Sequence, residues 1–127
     1  MKASIKNYRQ SPRKVRLVAS LLKGKTVSSA KEELSFLQKR ASAPILKLLN
    51  SAIANAVKNF GEDEKTLIIK DMRVDKGLVM KRFMPRAFGM AKRINKRTSH
   101  ILITLEKREK VDKIKKTKVF KKLVASS

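Results

Sequence analysis

Cysteine is absent from this chain and histidine occurs once. The first absence excludes disulfides and cysteine-type zinc sites, and fits a reducing compartment such as the cytoplasm. The second leaves little for catalysis. His100 precedes an apolar strand with no carboxylate beside it in sequence, which reads as a structural or nucleic-acid-facing histidine. Glycines are few, and the GKT at 24–26 lacks the upstream glycines of a phosphate-binding loop. No run of about 18 apolar residues exists to span a bilayer, and the opening MKASIKNYRQSPRK lacks the apolar core of a signal peptide. Acidic residues are scarce, and the one cluster, Glu62 to Glu64, reads as a solvated loop. An enzyme, a metal site and a cofactor are therefore not expected.

What is present is positive charge. The chain carries 33 Lys plus Arg against 10 Asp plus Glu, a formal +23 in 127 residues. Self-repulsion on that scale disfavours a compact chain unless a polyanion neutralises it. Nucleic acid is the leading partner and a membrane surface the second. A basic membrane binder would set its cations opposite one apolar face, whereas here they are spread over a helix, an arm and a tail.

The length predicts one domain. Residues 3–9 read as an edge strand with Ala3, Ile5 and Asn7 on one face. Ser11 suits an N-cap and Pro12 the first helical position, with Val15, Val18, Leu21 and Leu22 at helical spacing. Helix 12–23 then ends before Gly24. A second helix is predicted at 29–38, capped by Ser29 with Glu32 or by the competing Ser28. The longest periodic segment, 44–60, has an apolar face of Ile45, Leu48, Leu49, Ala52, Ile53, Ala56, Val57 and Phe60. It starts near Ser42–Pro44, or near Lys39 with Pro44 in an early turn. Strands follow at 65–75, with Ile68, Met72 and Val74 on one face and Leu67 and Ile69 on the other, and at 99–107. The expected fold is α+β, with three helices packed on a small, mainly antiparallel three-stranded sheet and a long protruding β-hairpin.

The hairpin, residues 76–98, lies between the last two strands. From Gly77 to Leu105 there are seven basic side chains, Lys81, Arg82, Arg86, Lys92, Arg93, Lys96 and Arg97, and no acidic one. As a two-stranded ribbon of about 11 residues a side it reaches roughly 35 Å. Such an excursion without a core of its own needs a binding role. Pro85 and Gly89 bracket the expected tip. Phe83, Met84, Phe88 and Met90 either pack across the ribbon or wedge against bases. The arginines can fork to phosphate oxygens or stack on bases. Arg13, Lys14 and Arg16 add a basic face at the first helix, with Arg9 just before it. RNA is favoured over DNA because helix-turn-helix, zinc-finger and zipper patterns are missing and folded RNA offers clefts to a narrow arm. A generic cationic DNA-binding or membrane-active protein is the alternative. Beyond Arg108 the tail holds seven lysines, Lys110, Lys113, Lys115, Lys116, Lys118, Lys121 and Lys122. Its composition allows disorder in isolation, and the spacing of Val111, Ile114, Lys118 and Leu123 is too weak to define a helix. The expected division is a domain at 1–109 and a tail at 110–127.

Three segments carry a family resemblance: SPRKVRLVASLLKGK at 11–25, LLNSAIANAVKNF at 48–60 and VDKGLVMKRFMPRAFGMAKRINKRTSHI at 74–101. Over about residues 3–108 the chain resembles the bacterial large-subunit ribosomal protein family numbered twenty-two. The last segment, with its ordered MKR, MPRA, G and R-I-x-K-R-T-S-H, is the most specific. The resemblance implies a structural protein of the cytoplasmic ribosome, bound to large-subunit rRNA and aiding its assembly. It implies a body on the subunit surface and a hairpin reaching inward to line the nascent-peptide exit tunnel. A protein of the family numbered four shares the tunnel constriction, and family changes near the tip are linked to macrolide response and peptide stalling. Charge pattern and resemblance together give the expected rRNA-binding residues as Arg9, Arg13, Lys14, Arg16, Lys81, Arg82, Arg86, Lys92, Arg93, Lys96, Arg97 and His100. The implied tunnel tip is Met84, Pro85, Arg86, Ala87, Phe88, Gly89 and Met90. The implied partners are rRNA, neighbouring ribosomal proteins and, transiently, the nascent peptide, with no membrane and no self-association. Where familiar members read PRAKGRA this chain reads PRAFGMA, so Phe88 and Met90 lower the charge of the tip.

Overall fold

The structure, a computed structural model, describes residues 1–108. The predicted lysine tail at 110–127 lies outside the described residues. Strand β1 (Lys2–Tyr8) leads to helices α1 (Pro12–Leu22), α2 (Val27–Phe36) and α3 (Ser42–Phe60), then to the long strands β2 (Leu67–Pro85) and β3 (Ala91–Lys107). The sheet is antiparallel with order β1-β3-β2. The three helices cover one face of it, and Val15, Leu22, Ile45, Leu49, Ile69 and Ile103 lie at the centre of the core. The predicted α+β architecture, with β1 at an edge and a hairpin projecting from the sheet, is the one observed.

Several local expectations shift. Helix α2 begins two residues earlier than predicted. Its cap is Thr26, whose hydroxyl accepts the Ser29 N–H at 3.4 Å, in place of Ser29 or Ser28. This brings Val27 into the helix, where it is fully buried with Ala30 and Leu34. Helix α3 begins at Ser42, so Pro44 lies in the first turn, where its missing N–H costs nothing. Val57 and Phe60, assigned to the buried face of that helix, are exposed, as is Leu21 of α1. In β1 a register shift separates Ile5 from Tyr8. Asn7 adopts φ 54 and turns outward, and Tyr8 takes the inward place.

The largest correction concerns β2. Leu67 and Ile69 were expected opposite Met72 and Val74, yet all four are buried. The register shifts between Ile69 and Asp71. Lys70 is the extra residue of a bulge, which reverses the alternation and returns both pairs to the helix side. A second shift lies between Lys76 and Val79, where Gly77 and Leu78 face Thr98 alone. This bulge is the base of the arm. The Thr98 hydroxyl donates to the Leu78 carbonyl at 2.6 Å, and a β-carbon on Gly77 would lie 2.4 Å from that same hydroxyl oxygen. Glycine is required there by close approach.

The outer edge of β2 is also closed. Gly24, with φ 81, follows α1 and donates its N–H to the Ile69 carbonyl at 2.9 Å. The Ile69 N–H returns a 2.9 Å bond to the Lys25 carbonyl. Further along, Arg16 forks from α1 onto the Val74 carbonyl, through Nε at 3.1 Å and Nη2 at 2.9 Å. These contacts block the edge against pairing with another chain and fix α1 beside the base of the arm.

Gly77→Ala should destabilise the protein by about 1–3 kcal/mol through this overpacking. Thr98→Ala should cost about 1 kcal/mol for the lost hydrogen bond. In urea unfolding the double variant should lose less than the sum, because truncating Thr98 removes the clash. Additive losses would show that close approach is not what demands glycine.

Candidate nucleic-acid interface

The arm begins at the Gly77–Leu78 bulge and runs as a regular ribbon from the Val79–Arg97 pair to the Pro85–Ala91 pair. Directly opposed residues in an antiparallel pair share a face. One face therefore carries Lys81, Arg93 and Arg97, and the other Arg82, Lys92 and Lys96. With cations on both faces, the ribbon suits a partner that surrounds it. Every residue from Lys81 to Arg93 is exposed.

The hairpin closes where the sequence places it. The Arg86 N–H donates to the Met90 carbonyl at 2.7 Å, and the Met90 N–H donates to the Ala87 carbonyl at 3.3 Å. The two residues between, Phe88 (φ 58, ψ 31) and Gly89 (φ 67), both have positive φ. This handedness matches the twist of the strands and is usually supplied by Asn-Gly. For phenylalanine the conformation costs about 1 kcal/mol.

The base of the arm meets the start of α1. Ser11 holds the N-cap position without a side-chain cap bond, and Pro12 follows with no N–H to give. No acidic residue occupies the first turn, so the positive end of the helix stays open to an anion. Against it lies a cleft of about 350 Å³ lined by Ser11, Arg13, Arg16, Lys76, Arg93, Asn95, Arg97 and Thr98. A second concavity of about 660 Å³ adjoins it and is lined by Arg9, Arg13, Lys14, Arg40, Lys96 and Arg97. The fold thus unites cations from the first helix with cations from the return strand, some 80 residues apart by numbering.

Two of the predicted residues are placed differently from the rest. Arg16 lines the cleft but spends two of its donors on Val74. His100 lies on the sheet face away from the helices, beside Ser4, Lys6, Asp75 and Leu102. Its Nδ1 accepts the Asn7 N–H at 3.1 Å and so holds the β1 irregularity in place. Arg40 was not singled out in the sequence. It sits in the α2–α3 link, where no local pattern marks it, and its carbonyl accepts the Tyr8 hydroxyl at 3.2 Å.

The carboxylates are used elsewhere. Asp71 pairs with Lys23 and Arg73, Glu33 with Lys25, Glu64 with Lys31, Glu106 with Lys70 and Glu62 with Lys107. Among the described residues, none of these pairs involves Arg9, Arg13, Lys14, Arg16 or a cation of the arm. Lys23 and then Arg73 hold the Asp71 carboxyl below its usual range, and Glu62 raises Lys107. The Asp71 contribution is fully present above its unfolded pKa of about 3.9 and is lost as pH falls through the lowered folded value. The Lys107 contribution is present below about pH 10.4 and is lost as pH rises through the raised value. Neither alters the charge of the cleft or arm near neutrality.

Arg16→Ala should lower the stability of the free protein by about 1 kcal/mol, since it removes a charged fork to a backbone carbonyl. Arg13→Ala should stay within about 0.5 kcal/mol of the parent, because the Arg13 side chain makes no hydrogen bond or ion pair to another described residue. Paired urea titrations without nucleic acid separate the two. Equal effects would show that Arg16 has no structural share.

The chain is similar in sequence to known ribosomal proteins. The family described as "Ribosomal protein L22p/L17e" matches residues 3–106. The "Large ribosomal subunit protein uL22" of Desulfitobacterium hafniense (strain DSM 10664 / DCB-2) is 50% identical over 109 residues, covering 85% of this chain and 96% of the relative. The protein of the same name from Mesoplasma florum is 53% identical over 102 residues, covering 80% and 91%. That of Oceanobacillus iheyensis is 50% identical over 109 residues, covering 85% and 96%. The matched span includes the cleft, both sides of the arm and its tip, and the chain belongs to the L22p/L17e family of ribosomal proteins.

Proposed function

We propose that this chain is a structural, non-catalytic component of the large ribosomal subunit that binds large-subunit rRNA through the cleft and arm. The carrying observation is that, among the described residues, these cations have no carboxylate partner, whereas Lys23, Lys25, Lys31, Lys70 and Lys107 on the body do. Arg13, Arg93 and Arg97, with Arg9, Lys14 and Lys96 beside them, grip phosphates where helix and arm meet. Lys81, Arg82, Arg86 and Lys92 continue the contact outward. Joining rRNA segments at the body and along the arm, the protein aids subunit assembly. Residues 1–109 form the rRNA-binding domain, and the lysines of 110–127 add charge to the same partner.

The tip, Met84 to Met90, serves as a lining element of the nascent-peptide exit tunnel, beside neighbouring ribosomal proteins and in transient reach of the peptide. Its support is family membership together with its place at the far end of a ribbon whose residues from Lys81 to Arg93 are all exposed.

Affinity for a large-subunit rRNA fragment should fall steeply with salt, and the log–log slope counts neutralised phosphates. Arg13→Ala, Arg93→Ala and Arg97→Ala should each weaken binding and reduce that slope by about 1. Lys70→Ala, which removes a cation already paired with Glu106, should leave the slope unchanged. Salt-insensitive binding would contradict this reading. Equal affinity for rRNA, duplex DNA and anionic vesicles at matched salt would replace it with a generic cationic binder.

A further inference from the structure

The tip of the arm breaks a local rule without an internal reward. Phe88 occupies the first central position of a turn that favours asparagine or glycine, at φ 58 and ψ 31. Its side chain is 101% exposed, so no contact within the protein offsets the unfavourable backbone. Met90, 69% exposed, and Met84, 47% exposed, extend the apolar surface. Next to it in the turn is Arg86, and below the turn Lys92 and Arg93 lie on the ribbon's two faces, opposite Met84 and Phe83; all three are exposed and without a carboxylate partner among the described residues. Residues that defy local preference mark function when nothing in the fold accounts for them.

The mixture defines the ligand. A phosphate backbone alone would use the cations and leave the aromatic ring in water. An apolar peptide alone would use the ring and leave three cations unmatched. A nucleotide uses both, presenting a flat π-face beside a phosphate. Within a paired helix the base faces are covered by their neighbours, so the base must be unpaired and turned out of the stack.

We propose that Phe88 is a base-stacking residue, seated on an unpaired rRNA nucleotide whose flanking phosphates are held by Arg86, Lys92 and Arg93. The inference rests on the rRNA-binding reading above and adds to it a non-ionic, single-residue contact. Stacking contributes to affinity without releasing counterions, so losing it changes the strength of binding but not its salt slope.

The chain has no tryptophan and one tyrosine, so Phe88→Trp installs a single fluorophore that can be excited selectively. Titration of the full-length Phe88→Trp protein with deproteinised large-subunit rRNA should quench its emission, with affinity at least equal to the parent. Phe88→Leu keeps an apolar side chain but has no π-face. It should weaken binding about tenfold with an unchanged slope, and Phe88→Ala should behave alike. Unchanged tryptophan emission at saturating rRNA, or parental affinity in Phe88→Leu, would overturn the proposal. Emission that responds only in ribosomes carrying a nascent peptide would also overturn it and assign the ring to the peptide. The parent protein, titrated in parallel, separates the two levels. If it binds rRNA with a steep salt slope while the tryptophan stays silent, stacking alone fails. If the parent does not bind, the rRNA reading fails with it.

Discussion

The rest of the structure depends on the long pairing of β2 with β3, which begins at Leu67–Lys107 inside the body and continues, through two bulges, to Pro85–Ala91 at the tip. The same hydrogen-bonded ladder serves as the floor of a hydrophobic core at one end and as a free-standing ribbon at the other. Two bulges divide these tasks. The one at Lys70 keeps Leu67, Ile69, Met72 and Val74 on the side of the helices. The one at Gly77–Leu78 ends the covered sheet, and the packing of Thr98 against Gly77 fixes how the ribbon leaves it. Because an isolated two-stranded hairpin is marginal in water, the arm depends on this anchorage and on whatever surrounds it.

Charge is distributed along the same axis. In the body, lysines meet carboxylates on neighbouring elements, so part of the charge is locally balanced. At the start of α1 and along the arm, no carboxylate among the described residues pairs with the cations. Exposed ion pairs contribute little to stability. Their larger consequence here is that five carboxylates, Glu33, Glu62, Glu64, Asp71 and Glu106, are engaged on the body. Arg16 stands between the two regions, lining the cleft while it anchors α1 to the edge of the sheet.

Much of this was legible in the sequence, for identifiable reasons. The helices announced themselves through apolar period, Pro12 and Gly24. The arm announced itself through seven cations without an acid between two apolar strands, and its turn through Pro85 and Gly89. What could not be read were features that arise only between distant segments. Alternation alone put Leu67 and Ile69 on the wrong face, because the bulge at Lys70 is defined by its partner strand. Val57 and Phe60 fit the helical stripe, but the fold leaves both exposed in the last turn of α3. His100 was expected at rRNA from the family's return-arm motif, and only the fold reveals its bond to Asn7. Arg40 joined the basic concavity through tertiary placement, with no sequence signal of its own. The left-handed backbone at Phe88 was equally hidden, since glycine next to it appeared to supply the turn.

The central claim is that the α1 start and the arm engage rRNA as one continuous surface. The absence of native cysteine permits a direct measurement. Single cysteines at Lys14 and Lys92, each carrying a tethered hydroxyl-radical source, would be introduced separately and the proteins assembled into large subunits. The account predicts rRNA strand cleavage from both positions, at distinct sites, because one probe sits beside the cleft and the other near the tip. Cleavage from Lys14 with none from Lys92 would contradict it, by showing that the arm lies away from RNA.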